Sequence, residues 1–181
     1  MNITKTKKAI VISAYPGLGK TYATDYINRE TDFEAIDSDS SYFSWLYDAN
    51  GEKQFEILRM GQTKNLRDPN FPQNYINYIK ANIAKKDVIF VSSHLSVRQL
   101  MEKEGIDFYV AVPEPTDLMR DEIRLRFINR GNTPEFIDDQ FENYFSRVNE
   151  MINSTKEGKL ITLHSGEFLI DHIVSNLSIA L

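Results

Sequence analysis

A short β-branched run, Ile10-Val11-Ile12, passes through Ser13 and Ala14 into a glycine-bearing turn that closes on Gly19-Lys20-Thr21. No other stretch restricts the possible folds as strongly. The run reads as a buried strand, and the turn fits the pattern G-x-x-x-x-G-K-[ST], with Ala14 in the place of the first glycine. A loop of this kind brings the chain to the carboxyl edge of a sheet and wraps a phosphate with backbone N–H groups. A helix then starts with its positive end toward the anion. Gly17 and Gly19 supply the backbone freedom that close approach needs. Pro16, Gly17, Leu18, Gly19, Lys20 and Thr21 are therefore the expected nucleotide-phosphate binders. Lys20 is placed to reach β- and γ-phosphates and Thr21 to offer its hydroxyl to Mg²⁺.

Further apolar runs recur at Phe33–Ile36, Val88–Val91, Phe108–Val112 and Leu160–Leu163, with helical patterns between them. That alternation predicts an α/β fold with a mainly parallel sheet. The 181 residues suit one domain. With no cysteine there is no disulfide framework, and no apolar run approaches the length of a membrane span. The polar start, Met1 to Lys8, reads as no signal peptide, so the expected location is cytoplasmic. A formal charge of −5 argues against a general electrostatic grip on nucleic acid and leaves room for a local basic cleft.

Polar residues at the carboxyl ends of strands are the next candidates, because ligands of open α/β sheets bind there. Asp37 and Asp39 follow the second strand; one could face a metal and the other an acceptor group. The alternative is that Asp39 or Ser40 caps a helix through Tyr42–Tyr47, closed by Asn50-Gly51. Ser92, Ser93 and His94 end the third run, with Arg98 one turn on. His94 reads either as a phosphate contact or as a structural histidine. Residues 42–72 show little periodicity and carry Arg59 and Arg67, as a binding insert would. Leu118 to Arg130 is a predicted helix in which Arg126 and Arg130 share a face with Met119 and Ile123. They suit a lid over phosphates, or a solvated face pairing with Asp121, Glu122 or Glu135. Thr133-Pro134 then starts one long amphipathic helix marked by Ile137, Phe141, Tyr144, Val148 and Met151.

These motifs together resemble the small P-loop kinases of the nucleoside-monophosphate-kinase type, especially nucleotide kinases of bacteriophages and prophages. The likeness lies in Ala14 to Thr21, Ile36-Asp37-Ser38-Asp39-Ser40-Ser41, Ser92-Ser93-His94 and Arg126 to Asn132. The Asp-Ser-Asp run also looks like that of shikimate kinases and of polynucleotide 5′-kinases. The resemblance implies a P-loop NTPase fold, with a five-stranded parallel sheet flanked by helices. It places an acceptor insert at about 40–75 and a lid at about 116–134. It implies phosphotransfer from ATP-Mg²⁺, with Lys20, Asp37, Asp39, Arg126 and Arg130 catalytic and Thr21 and Asp37 on the metal. Asp39, Arg59, Arg67, His94 and Arg98 are then the expected contacts to a nucleotide acceptor. The Asp-Gly-aromatic-Pro-Arg segment of adenylate kinases is missing after the third strand, where Ser92-Ser93-His94 stands instead.

Overall fold

The computed structural model describes residues 8–57 and 63–177. Its strands are β1 (Ile10–Ala14), β2 (Ala35–Asp37), β3 (Phe55–Ile57), β4 (Thr63–Asn65), β5 (Val88–Val91), β6 (Tyr109–Pro113) and β7 (Leu160–Leu163). Its helices are α1 (Lys20–Glu30), α2 (Ser41–Ser44), α3 (Gln73–Ile83), α4 (Leu95–Lys103), α5 (Asp117–Asn129), α6 (Pro134–Phe141), α7 (Tyr144–Asn153) and α8 (Leu169–Leu177). Five strands form one parallel sheet in the order β2-β5-β1-β6-β7, and β3 and β4 form a separate antiparallel pair. The strand that feeds the glycine loop is thus the centre of the sheet, paired Ile10 to Val88 on one side and Ile12 to Tyr109 on the other.

Alternation along the strands feeds two separate cores. Val88 and Phe90 of β5, with Ile12 of β1, pack under α1 and α5 to α8 through Ile27, Met119, Ile123, Tyr144, Val148 and Ile173. Ile89 and Val91, with Val11, face the opposite way onto α3 and α4 through Tyr75, Ile76, Ile79, Val97 and Met101. A sheet covered on both faces leaves no polar alternation, which is why these strands read as unbroken apolar runs.

Three expectations change. The long helix after Thr133 is two helices: α6 ends at Phe141 and Asn143 caps α7 with φ −122° and ψ 30°. Asparagine competes poorly in a helix interior, and the break lets Phe141 stack on Tyr144 at 5.7 Å with the rings 7° apart. The helix after Ser40 stops at Ser44, because Trp45 turns extended to bridge Arg67. Asn50-Gly51 then serves a turn instead of a helix end: Asp48 accepts from the Asn50 and Glu52 N–H groups, and Gly51 takes φ 80°. The weakly periodic insert is therefore a small β-extension, held by Leu46 N–H to Leu66 at 2.9 Å and Gln54 N–H to Leu46 at 2.8 Å. No described helix is long and apolar enough to cross a membrane.

Candidate active site

The loop after β1 is held open by its backbone. Gly17 and Gly19 take φ 85° and 90°, and a Cβ on Gly17 would come within 2.9 Å of Ile123. Ala14, in the first glycine's position, is fully buried against the core at the edge of the cleft. Gly19 caps α1 with no side-chain bond to the helix N–H groups, and α1 carries no acid in its first turn. Those donors remain available to an anion. Lys20 donates to the Ala14 carbonyl at 3.3 Å. Its pKa is lowered, first by burial and further by Arg130, against the opposing pull of Asp37 and Asp39. An anion brought to the loop therefore relieves a desolvated ammonium.

Beside the loop, Thr21 donates its hydroxyl to Asp37 Oδ2 at 2.8 Å. A hydroxyl and a carboxylate oxygen converging in this way suit a hard cation such as Mg²⁺. Asp39 accepts from the Ser41 N–H at 2.8 Å and also lines the cleft, so it shapes the turn before α2 and stays available to a ligand. The cleft measures about 780 Å³ and runs from the glycine loop past Ser92, Ser93 and His94 to Trp45 and Arg67. Arg130, Asp139, Arg147 and Glu150 complete its far wall. His94 is held below its ordinary pKa, mainly by desolvation and then by Arg67 and Arg147, with Asp39 opposing. The imidazole is thus neutral at pH 7 and shares its surroundings with two guanidinium groups.

The arginines divide sharply. Arg67 lies over the Trp45 ring at 4.0 Å, Arg147 touches Gln140 at 3.3 Å, and Arg130 extends from the end of α5. None of these three has a carboxylate partner among the described residues, and all three line the cleft. Other arginines are spent on structure. Arg120 pairs with Asp117 and Asp121, and Arg124 with Asp138.

Two expected site residues are corrected. Arg126 binds Glu122 at 2.5 Å and the Gly17 and Glu167 carbonyls at 3.2 and 2.8 Å, with its guanidinium over Phe168. It braces the outside of the loop and is not on the cleft wall. Arg98 is 3 % exposed and donates to Ser93 O, Ser154 Oγ and both Glu150 carboxylate oxygens. Its bonds lie between α4 and α7, behind the cleft wall that Ser93 and Glu150 line. Arg59 lies outside the described residues. Arg147 was not singled out from sequence, although its offset of three residues from Tyr144 and four from Met151 puts it beside an apolar stripe, the same signal that drew attention to Arg126 and Arg130.

No family model matches the chain, and no curated protein matches it. Among solved structures it is similar to a gluconokinase from Sinorhizobium meliloti 1021, with 13 % identity over 97 % of this chain and 98 % of that one and a TM-score of 0.43. It is also similar to an uncharacterized protein from Eubacterium ventriosum ATCC 27560, with 14 % identity over 96 % and 97 % and a TM-score of 0.46. With TM-scores below 0.5, these likenesses bear on neither the substrate nor the chemistry of this chain.

Proposed function

We propose that this chain is an ATP-dependent phosphotransferase whose acceptor is a nucleoside or deoxynucleoside monophosphate. The observation that carries the reading is the set of cleft arginines without carboxylate partners, Arg67, Arg130 and Arg147, facing the same space as Lys20. Three exposed guanidinium groups converging on one cleft offer an anion several charged donors at once, and two phosphate groups brought together are what such a cleft suits. Lys20 and the loop N–H groups hold the donor's β- and γ-phosphates. Thr21 and Asp37 would hold Mg²⁺, which would supply positive charge to the phosphates. Arg130 and Arg147 neutralise charge on the transferred group, and Arg67, kept in place by Trp45, binds the acceptor's phosphate. Most of the acceleration then comes from alignment and charge stabilisation.

One observation favours a second reading. Asp39 stands exposed on the cleft wall, and a hydroxyl acceptor, on a small metabolite or a nucleic-acid 5′ end, needs such a base, whereas a phosphate acceptor does not. ADP formation from ATP-Mg²⁺ separates the two. The panel comprises nucleoside and deoxynucleoside monophosphates, polyols of the shikimate type and 5′-hydroxyl oligonucleotides. For the leading reading, one monophosphate stimulates ADP formation, Lys20→Ala abolishes it, and Arg67→Ala raises the acceptor KM at least about tenfold with the ATP KM unchanged. Stimulation by a hydroxyl compound, lost in Asp39→Asn, transfers the assignment to the second reading. If no compound exceeds basal hydrolysis, the phosphotransferase reading is wrong.

A further inference from the structure

A buried hydrogen-bond thread crosses the carboxyl ends of three neighbouring strands. Ser13 at the end of β1 donates its hydroxyl to Ser92 O at 3.0 Å. The Ser92 N–H donates to the Tyr75 phenol oxygen at 3.1 Å. That phenol, on α3 and fully buried, lies 2.7 Å from Ser38 Oγ and donates to Ser38 O at 2.9 Å. Ser38 in turn donates its hydroxyl to Phe90 O at 2.6 Å and its N–H to the same carbonyl at 3.0 Å. Ser38 stands between Asp37 and Asp39, and Asp37 meets the Thr21 hydroxyl.

Packing alone does not require this arrangement. A phenylalanine at 75 would keep the ring against Phe43 and Phe71, which lie 5.0 and 6.3 Å away, centroid to centroid. The hydroxyl adds a bond to each of two backbone segments that carry cleft residues, Asp37 to Asp39 and Ser92 to His94. It fixes them relative to each other and, through Ser13, to the strand that launches the glycine loop. Its acidity is suppressed: burial pushes the phenol up to about 12, Asp37 and Asp39 add to this, and the bonds from Ser38 and Ser92 oppose it. The group therefore stays neutral, with its single hydrogen committed to Ser38.

We propose that Tyr75 is a positioning residue: its phenol holds the Asp37-Ser38-Asp39 turn so that Asp37 stays on the Thr21 side and shares the divalent cation of the bound nucleotide. This rests on the phosphotransferase reading but is measured by nucleotide binding as well as by turnover. Hydrogen-bond partners of a metal ligand are worth about 10- to 100-fold in metal affinity or activity, and the phenol acts on Asp37 through Ser38, that residue's chain neighbour.

The test compares wild type with Tyr75→Phe and Ser38→Ala. ATP affinity is titrated calorimetrically with Mg²⁺ and with EDTA, and kcat and KM are measured with the best acceptor. The expected result is that Tyr75→Phe keeps its EDTA-condition ATP affinity within about twofold. Its Mg²⁺-dependent gain in affinity, and its kcat, fall by about 10- to 100-fold. Ser38→Ala, which removes the hydroxyl that ties the turn to the Phe90 carbonyl beside the phenol and leaves the ring, shows the same split if Tyr75→Phe does not fold. Retention of the full Mg²⁺ gain and kcat, with only thermal stability lowered, overturns the proposal and leaves Tyr75 a core residue. A wild type that gains affinity with Mg²⁺ but phosphorylates nothing overturns the function and leaves the binding split to decide the role of Tyr75. A wild type with no Mg²⁺-dependent ATP binding overturns both.

Discussion

Arg98→Ala separates a structural role from a ligand-binding one. The guanidinium is almost wholly enclosed, its side chain 4 % exposed against 39 % for that of Glu150. It makes two bonds to Glu150 at 2.6 and 2.9 Å, one to Ser154 at 2.6 Å and one to the Ser93 carbonyl at 3.2 Å. Removing one partner of a fully buried pair costs about 3–5 kcal/mol. Here the Glu150 carboxylate can recover water, which lowers the figure, while the Ser93 carbonyl and the lost aliphatic packing raise it. The net expectation is about 2–3 kcal/mol. At about 2–4 °C per kcal/mol for a chain of this size, the melting temperature falls by about 5–10 °C. Urea denaturation with a double-mutant cycle to Glu150→Gln is the assay, and the coupling should exceed about 1 kcal/mol. ATP affinity should stay within about threefold of wild type, since Arg98 lies off the cleft wall. A loss of stability below about 0.5 kcal/mol, with acceptor affinity reduced, would refute the strut and restore Arg98 to the ligand.

Gly17→Ala combines a left-handed backbone with a contact of 2.9 Å to Ile123, so a loss of about 2–4 kcal/mol and of nucleotide binding is expected in denaturation and calorimetry. Tyr15→Phe should be neutral or raise stability by up to about 1 kcal/mol, because the Tyr15 hydroxyl is buried with no hydrogen-bond partner; a clear loss in urea unfolding would mean that the hydroxyl is bonded. His94 has a folded pKa below its ordinary 6.5, so the unfolded chain takes up the proton first as pH falls. Its contribution is intact above about pH 6.5 and is lost progressively below it; His94→Asn should flatten the fall in melting temperature between pH 7.5 and 5.5, and an unchanged slope would exclude this histidine as a cause.

The sheet was legible because burial on both faces writes each strand as an apolar run, and β1, β5 and β7 fall where those runs lie. The insert was not, because the described side chains of its hairpin face water: Phe55 is 55 % exposed, and Glu56, Lys64 and Asn65 are exposed too. Without one side against a core, no period of two is imposed. The break between α6 and α7 was hidden because Phe141 and Tyr144 keep helical spacing across it. In the cleft, Lys20, Thr21, Asp37 and Asp39 were readable from local motifs. Arg67 and Arg130 were readable too and line the cleft, whereas Arg98 and Arg126 turn away because remote groups help hold them: Glu150 lies 52 residues from Arg98, and Gly17 lies 109 residues from Arg126, beside the local Glu122. A stripe-extending arginine points at the nearest acceptor the fold provides. For Arg126 that is Glu122 together with a loop carbonyl; for Arg147 it is Gln140 on the cleft wall.

If the proposed nucleotide occupies the cleft, the charges on its wall determine what must accompany it. Lys20, Arg67, Arg130 and Arg147 face Asp37, Asp39, Asp139 and Glu150, and Glu150 is already held by Arg98 from behind. The remaining balance is one positive charge in a chain whose formal charge is −5. A triphosphate carries far more negative charge than that, and Asp37, beside the loop, opposes it directly. The protein alone therefore leaves a bare triphosphate poorly compensated, and a divalent cation between Thr21, Asp37 and the phosphates changes the sign of that local repulsion. ATP binding should weaken at least about tenfold when EDTA replaces Mg²⁺, while Asp37→Asn should bind metal-free ATP better than wild type does. Calorimetric titration of both proteins under both conditions reads the effect. Equal affinity with and without Mg²⁺ would mean that Asp37 faces no metal and that the carboxylates after the second strand serve the acceptor alone.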